Sequence, residues 1–404
     1  MAEYSIRSKC QINTNRDTDT FVGIKCDSGE ISIHFPLGFH ISDDDNELRK
    51  DIMLLINTIA SSTGKKESEL IQADTESTDS GFPMQAYLGV IYDFFERGYY
   101  KERETEYTIS KRGKINWART IKTIKPLIQD NNVYYLDFVT KKNSIKENEL
   151  ITLIHEYCVY DSFEKIGWLF TSMIPSKPRI KLAKYFSEAI KEKLSHTFND
   201  RNKVLFKNMI HILDYECDRN ADHDFYFGTN RFEYVWESMI DRVFGIEGKS
   251  DYFPKTTWKL HGRKHDNASL EPDSIMLFGN DVYVLDAKYY KYGQTGYLTD
   301  LPESTSINKQ ITYGEYVKKY SGCEGTVYNA FLLPFDASLW SRPEFFPIGD
   351  ATGNWRDNVE VYEHVQGILV DVKYLMQKNV REDYHEILKL AECIQKSVEE
   401  SMNG

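Results

Sequence analysis

Hydrophobic positions change texture along the chain. Residues 21–26 (FVGIKC) and 31–39 (ISIHFPLGF) are short β-prone runs and predict strands. The acidic triplet Asp43-Asp44-Asp45 then leads into residues 48–60 (LRKDIMLLINTIA), a helix whose start carboxylates favour. Residues 1–63 therefore read as a small α+β module. Residues 64–81, polar and acidic with Gly at both ends, read as a linker. From about 146 to 216 apolar residues return every three or four positions in ENELITLIHEYCVYDSF, RIKLAKYFSEAIKEKLSHTF and VLFKNMIHILDYEC, the pattern of a helical bundle. We assign 82–225 to a basic segment with this helical connector, a region for DNA or a partner, and 226–404 to a last domain.

That last domain opens with a helical run, residues 231–244 (RFEYVWESMIDRVF), with an apolar stripe and with Glu233 and Glu237 one turn apart on one face. Residues 272–288 (PDSIMLFGNDVYVLDAK) hold two apolar β-prone runs around Gly279-Asn280, a dipeptide that closes a two-residue hairpin. With those two as the loop, Phe278 pairs Asp281, Leu277 pairs Val282, Ile275 pairs Val284 and Asp273 pairs Asp286. Period two adds Lys288 to the face of Asp286, so an apolar patch of Leu277, Val282, Ile275 and Val284 ends in two carboxylates and an amine. Opposed carboxylates ~5 Å apart repel by about 3 kcal/mol at an effective dielectric near 20. A shared proton or Lys288 offsets this, and Mg²⁺, a cation that takes one or two carboxylates with waters and phosphate oxygens, does so best.

Downstream, residues 306–316 (SINKQITYGEY) predict a helix carrying Lys309, Gln310, Tyr313 and Tyr316, donors suited to phosphate oxygens. Strands at 326–335 (TVYNAFLLPF) and 367–376 (GILVDVKYLM) and a closing helix at 381–400 complete a mixed central sheet flanked by helices. The HGRKH stretch holding His261 and His265 lacks the Glu of a zinc helix and reads as a surface loop.

Composition narrows the function. The 404 residues carry 50 Lys+Arg against 62 Asp+Glu, a net charge of -12, which excludes binding of nucleic acid by bulk charge. Any such site is local. Residues 96–125 hold nine Lys/Arg against four Glu, a surplus of five, interleaved with Tyr99, Tyr100, Tyr107 and Trp117. Lys111, Arg112, Lys114, Trp117 and Arg119 are the candidate DNA contacts there, with Lys309 and Tyr313 added from the later helix. A solvated face or a face for a protein partner accounts for the same pattern. Six scattered cysteines, no apolar signal run and no membrane-length apolar stretch suggest a cytoplasmic protein with reduced, mostly buried thiols.

Pro272-Asp273, then Asp286-Ala287-Lys288, resembles the PD-(D/E)XK nuclease site. The wording around it (FEYVWESMI, PKTTWK, PDSIML, VLDAKYY, SINKQITY), with GYYKERE and KRGKINWARTIK upstream, is similar to the LlaJI family of restriction endonucleases and to the related McrC-type nuclease subunits, over residues 82 to about 320. The resemblance implies a PD-(D/E)XK fold and Mg²⁺-dependent cleavage of double-stranded DNA in defence against foreign DNA. It implies Asp273, Asp286, the Ala287 carbonyl and Glu237 as metal ligands, Lys288 as the catalytic lysine and Gln310 as the helix glutamine. It further implies a separate McrB-like AAA+ GTPase as partner, since the chain has no GxxxxGK[ST] loop, and dimerisation for double-strand cleavage. RecB-like relatives carry Gln and Tyr four apart, whereas Gly314 stands at that position here. The contrasting function is a non-catalytic adaptor linking a motor NTPase to DNA.

Overall fold

In the computed structural model, residues 6–16, 19–62, 82–129, 132–146, 149–171, 173–218 and 224–403 are described. The expected linker at 64–81 lies outside them. The chain divides into two compact units, one of residues 1–79 with 223–404 and one of residues 80–222.

The first unit starts with strands β1 (Cys10–Ile12), β2 (Val22–Asp27) and β3 (Glu30–Phe35), followed by helix α1 (Asp45–Ser62). Asp44 caps that helix by accepting from the Asn46 and Glu47 N–H groups at 3.0 and 2.9 Å.

The second unit holds helix α2 (Met84–Arg97), strands β4 (Glu102–Ile109) and β5 (Lys114–Ile115), helix α3 (Trp117–Thr123), and strands β6 (Leu127–Gln129), β7 (Asn132–Tyr134) and β8 (Val139–Lys146). Helices α4 (Leu150–Ile166), α5 (Tyr185–Ser195) and α6 (Asp200–Asp218) follow. The expected helices form. The basic segment before them is β-structure: β4, β8 and β5 make a three-stranded antiparallel sheet, with β6 and β7 as a separate hairpin. Charged residues interrupt the alternation of β4 (ERETEYTI), so period two is faint there.

Back in the first unit, β9 (Phe225–Thr229) pairs antiparallel with β2, completing a sheet in the order β1-β3-β2-β9. The sheet of the small α+β module expected over 1–63 takes its last strand from residues 225–229, which pair with the backbone N–H and C=O groups along the edge of β2. Helix α7 (Phe232–Phe244) buries Val235, Trp236, Met239, Ile240 and Val243 on one stripe.

A short ribbon of β10 (Thr257–Leu260) and β11 (Arg263–Asp266) replaces the surface loop expected around HGRKH. Beyond it, β12 (Ser274–Phe278), β13 (Asp281–Ala287), β14 (Val327–Phe335), β15 (Phe345–Ala351) and β16 (Val365–Asp371) form a mixed sheet, order β12-β13-β14-β16-β15. Helix α8 (Ser304–Tyr320) lies on one face, where Ile311, Tyr313 and Val317 meet Ile275, Val282, Val284 and Phe331. The closing helix α10 (Tyr384–Asn403) packs on the other, with Gln395 Nε2 donating to Tyr283 Oη at 2.8 Å. Covered on both faces, β13 and β14 are buried almost throughout. The single strand expected over 367–376 breaks at Asp371, whose carboxylate accepts the Tyr374 N–H at 2.7 Å and starts helix α9 (Val372–Gln377).

Candidate active site at the end of the β12–β13 hairpin

The hairpin has the register read from the sequence: Phe278 pairs Asp281, Leu277 pairs Val282 and Ile275 pairs Val284. The ladder stops at Ser274–Leu285, and beyond it the Asp273 carboxylate takes over, accepting the Ala287 N–H at 2.8 Å. Lys288 makes an ion pair with Asp286, whose side chain is 5% exposed. Two aspartates and a lysine thus meet where the strands end. Leu277, at the far end of the patch, is exposed rather than buried.

Glu237 reaches the same electrostatic neighbourhood from α7. Burial, then the charges of Asp273 and Asp286, push its carboxyl up to about 7. Burial and then Asp286 push Asp273 up to about 6. For Lys288, burial works against the charge, but the attraction of Asp286 and Asp273 outweighs it and the ammonium is held above its ordinary range. Among the described residues the Glu237 carboxyl has no ion-pair or hydrogen-bond partner, whereas Glu233 pairs with Arg231 at 3.2 Å and faces solvent.

Several expected residues sit elsewhere. Gln310 is 1% exposed and its Nε2 donates to the Val284 carbonyl at 2.7 Å, so it ties α8 to β13 two residues before Asp286. Tyr313 is wholly buried and donates its hydroxyl to the Glu271 carbonyl at 3.1 Å, which removes it from the DNA-contact set. The position four after Gln310 has no room for a tyrosine: a Cβ on Gly314 would lie 2.5 Å from Asn329 Nδ2 and 2.8 Å from Tyr362 Cβ. Lys309 is exposed, its ammonium 5.5 Å from the Tyr313 ring centre. In the second unit, Lys111, Arg112, Lys114, Trp117 and Arg119 are all exposed, and Arg119 stacks 3.8 Å over the Tyr107 ring.

Two positioning residues escape sequence reasoning. Lys249 donates to the Asp273 carbonyl at 2.6 Å and to Asp241 at 2.7 Å, fixing the backbone that carries the first carboxylate. Tyr289, next to Lys288, is buried against Phe232, and its hydroxyl accepts the Leu37 N–H at 2.6 Å. The amino-terminal strands thereby hold the end of β13. Lys249 had no signal in its surroundings; the aromatic pair after Lys288 was the only hint of Tyr289.

Among the described residues no three His, Cys, Asp or Glu side chains gather as a ready metal cage. The expected set of three carboxylates and the Ala287 carbonyl is not assembled in that form; instead the Ala287 N–H and the Lys288 ammonium hold the aspartate oxygens. The donor chemistry still suits a hard cation. A buried aspartate and a half-buried one, with a third carboxyl raised beside them, form an excess of negative charge, and Mg²⁺ needs only one or two such oxygens with water.

The model of the LlaJI restriction endonuclease family matches residues 21–346. The chain belongs to this family. All three groups of the hairpin end, and Glu237 and Gln310, fall inside the match. The chain is also 28% identical over 256 residues to the BsuMI component YdjA, a Type II restriction enzyme component of Bacillus subtilis (strain 168). That alignment covers 59% of this chain and 55% of the relative, so the chain spans about half the length of the curated relative it matches. Among solved structures, a chain of the Thermococcus gammatolerans half-complex of McrB AAA+ hexamers with bound McrC aligns at 15% identity and TM-score 0.38, covering 92% of this chain and 83% of that one. A chain of the Thermococcus gammatolerans McrBC complex aligns at 16% identity and TM-score 0.23, covering 55% and 66%. In this LlaJI-family chain, no helix among the described residues is long and apolar enough to cross a membrane.

Proposed function

We propose that this LlaJI-family chain is the nuclease subunit of a restriction system, cleaving phosphodiester bonds of double-stranded DNA with Mg²⁺ at a PD-(D/E)XK site formed by Asp273, Asp286 and Lys288. The observation that carries the reading is the hairpin end itself: Asp273 on the Ala287 N–H and Lys288 on Asp286, where the paired strands stop. Asp273 and Asp286, with Glu237 near them, are the residues to hold the ion. When bound, Mg²⁺ polarises a phosphate oxygen and acidifies a water.

The chain's own groups do the rest. Lys288 brings a positive charge to the developing phosphorane and orients the attacking water. The Glu237 carboxyl, titrating near neutrality, holds or releases a proton beside the aspartates. Gln310 acts as a positioning residue, through the β13 backbone. Lys111, Arg112, Lys114, Trp117 and Arg119 contact DNA from the exposed turn, strand β5 and helix α3, with Lys309 beside the site. A separate McrB-like GTPase drives the reaction, and two copies cut the two strands. Plasmid cleavage by the full chain, with and without Mg²⁺, nucleotide and the neighbouring encoded proteins, tests this reading; no cutting under any combination removes it.

The competing reading is a non-catalytic adaptor between a motor and DNA, which the exposed cations Lys111, Arg112, Lys114 and Arg119 also fit. Calorimetric titration with Mg²⁺ separates the two. The nuclease shows a binding heat that Asp273→Asn abolishes, and the adaptor shows none.

A further inference from the structure

The β10–β11 ribbon is the part of the first unit that the site does not explain. Every residue from 255 to 266 is exposed, including Trp258 at 59% and Leu260 at 55%. A two-stranded ribbon is marginal alone, yet this one carries apolar and cationic side chains into solvent. In a chain of net charge -12, residues 255–265 hold Lys255, Lys259, Arg263 and Lys264 with no Asp or Glu.

The register sharpens the pattern. Lys259 pairs directly with Lys264, a like-charge juxtaposition that costs stability unless an anion lies over it. Asp266 offsets Lys264 at 3.2 Å, but among the described residues Lys255, Lys259 and Arg263 have no ion-pair partner. The other face carries Trp258 and Leu260 beside His265 and Arg263. The tip, His261-Gly262, has both φ angles positive at 41° and 84°, a tight turn that keeps the strands twisted together.

Both legs are rooted at the hairpin end. On the incoming side Lys249 grips the Asp273 carbonyl at 2.6 Å, and the legs close on each other through Leu270 N–H to the Pro254 carbonyl at 2.9 Å. On the outgoing side Tyr313 holds the Glu271 carbonyl at 3.1 Å, two residues before Asp273. Four residues of strand extend roughly 13 Å, and a major groove about 12 Å wide admits such a ribbon.

We infer that β10–β11 is a DNA-gripping arm, its Lys255, Lys259 and Lys264 on the phosphates of a duplex and its Trp258–Leu260 face, with Arg263 beside it, toward the groove. It positions the strand to be cut at Asp273, Asp286 and Lys288, and so rests on the nuclease reading. The polyanion is duplex DNA rather than an acidic protein because the arm springs from the very residues that hold Asp273.

The test is fluorescence-anisotropy binding of the full chain to a random-sequence duplex, without divalent metal, across a salt series. The combined variant K255A/K259A/R263A/K264A loses at least about tenfold in affinity, and its slope of log affinity against log salt is shallower by about three. W258A weakens binding with the salt slope unchanged, and both variants melt as wild type does. Wild-type affinity and slope in the combined variant overturn the inference, as does a wild-type chain that binds no duplex or that prefers polyglutamate to it. Because no metal is present, this outcome is independent of cleavage: Asp286→Asn that still cuts with Mg²⁺ overturns the nuclease reading and leaves the binding result standing.

Discussion

Each unit sets a lysine among carboxylates, and the two clusters end differently. In the helical unit Lys165 pairs with Asp161 and, at 3.0 Å, with Glu216, while the Tyr87 hydroxyl lies 2.9 Å from Asp161 and 3.1 Å from Glu216. Every charge there has a partner inside the bundle. In the sheet unit Lys288 serves Asp286, a backbone N–H serves Asp273, and Glu237 is left with a raised carboxyl. A closed cluster is a structural device. A cluster left with surplus negative charge is one that a cation or a substrate completes.

Four experiments press on that contrast. Lys288→Ala lowers cleavage about a thousandfold, read by single-turnover plasmid cutting. Cleavage within tenfold of wild type would make the two clusters alike. Lys165→Ala has the opposite profile: it strands two buried carboxylates and costs roughly 3–5 kcal/mol of stability, measured by urea unfolding.

The pH response differs in sign. His155 in α4 is buried, its Nδ1 accepting the Tyr100 N–H at 2.8 Å, and burial lowers its pKa from 6.5 to about 4. Above 6.5 the ring is neutral folded or unfolded; below it only the unfolded chain takes the proton. The helical unit therefore loses stability as pH falls from 6.5 to 4, by up to about 3 kcal/mol. Glu237 does the reverse, since its folded pKa of about 7 lies above the ordinary 4.5 of a glutamate. The penalty of its charge, full above 7, fades as pH drops toward 4.5, and the sheet unit gains. Amide hydrogen exchange resolved by unit, at pH 7 and pH 5, reads both; parallel shifts would contradict the contrast. The smallest effect is Gly314→Ala, whose Cβ would press on Asn329 and Tyr362 and cost about 1–3 kcal/mol, visible as a lower melting temperature.

The sequence made the hairpin end legible because a two-residue bend and period two leave no freedom in register, so Asp273, Asp286 and Lys288 followed from counting. Amphipathic helices such as α7 and α6 were equally plain. What stayed hidden depends on contacts distant along the chain. No local pattern announces that β2 takes β9 as its neighbour, that Gln310 and Tyr313 turn inward to backbone carbonyls, or that Lys249 grips Asp273. The β4–β8–β5 sheet was hidden by the run of charged residues in the sequence of its strands, and the β10–β11 ribbon by side chains that no core demands.

The central claim is that the end of the β12–β13 hairpin hydrolyses phosphodiester bonds. Asp286→Asn keeps the shape of the side chain and removes its charge, so single-turnover cleavage of plasmid DNA with Mg²⁺, run beside wild type with the same partner proteins and nucleotide, addresses it directly. The account predicts cutting by wild type, none by the variant, and equal binding of DNA by both; a variant that cuts at the wild-type rate would contradict it.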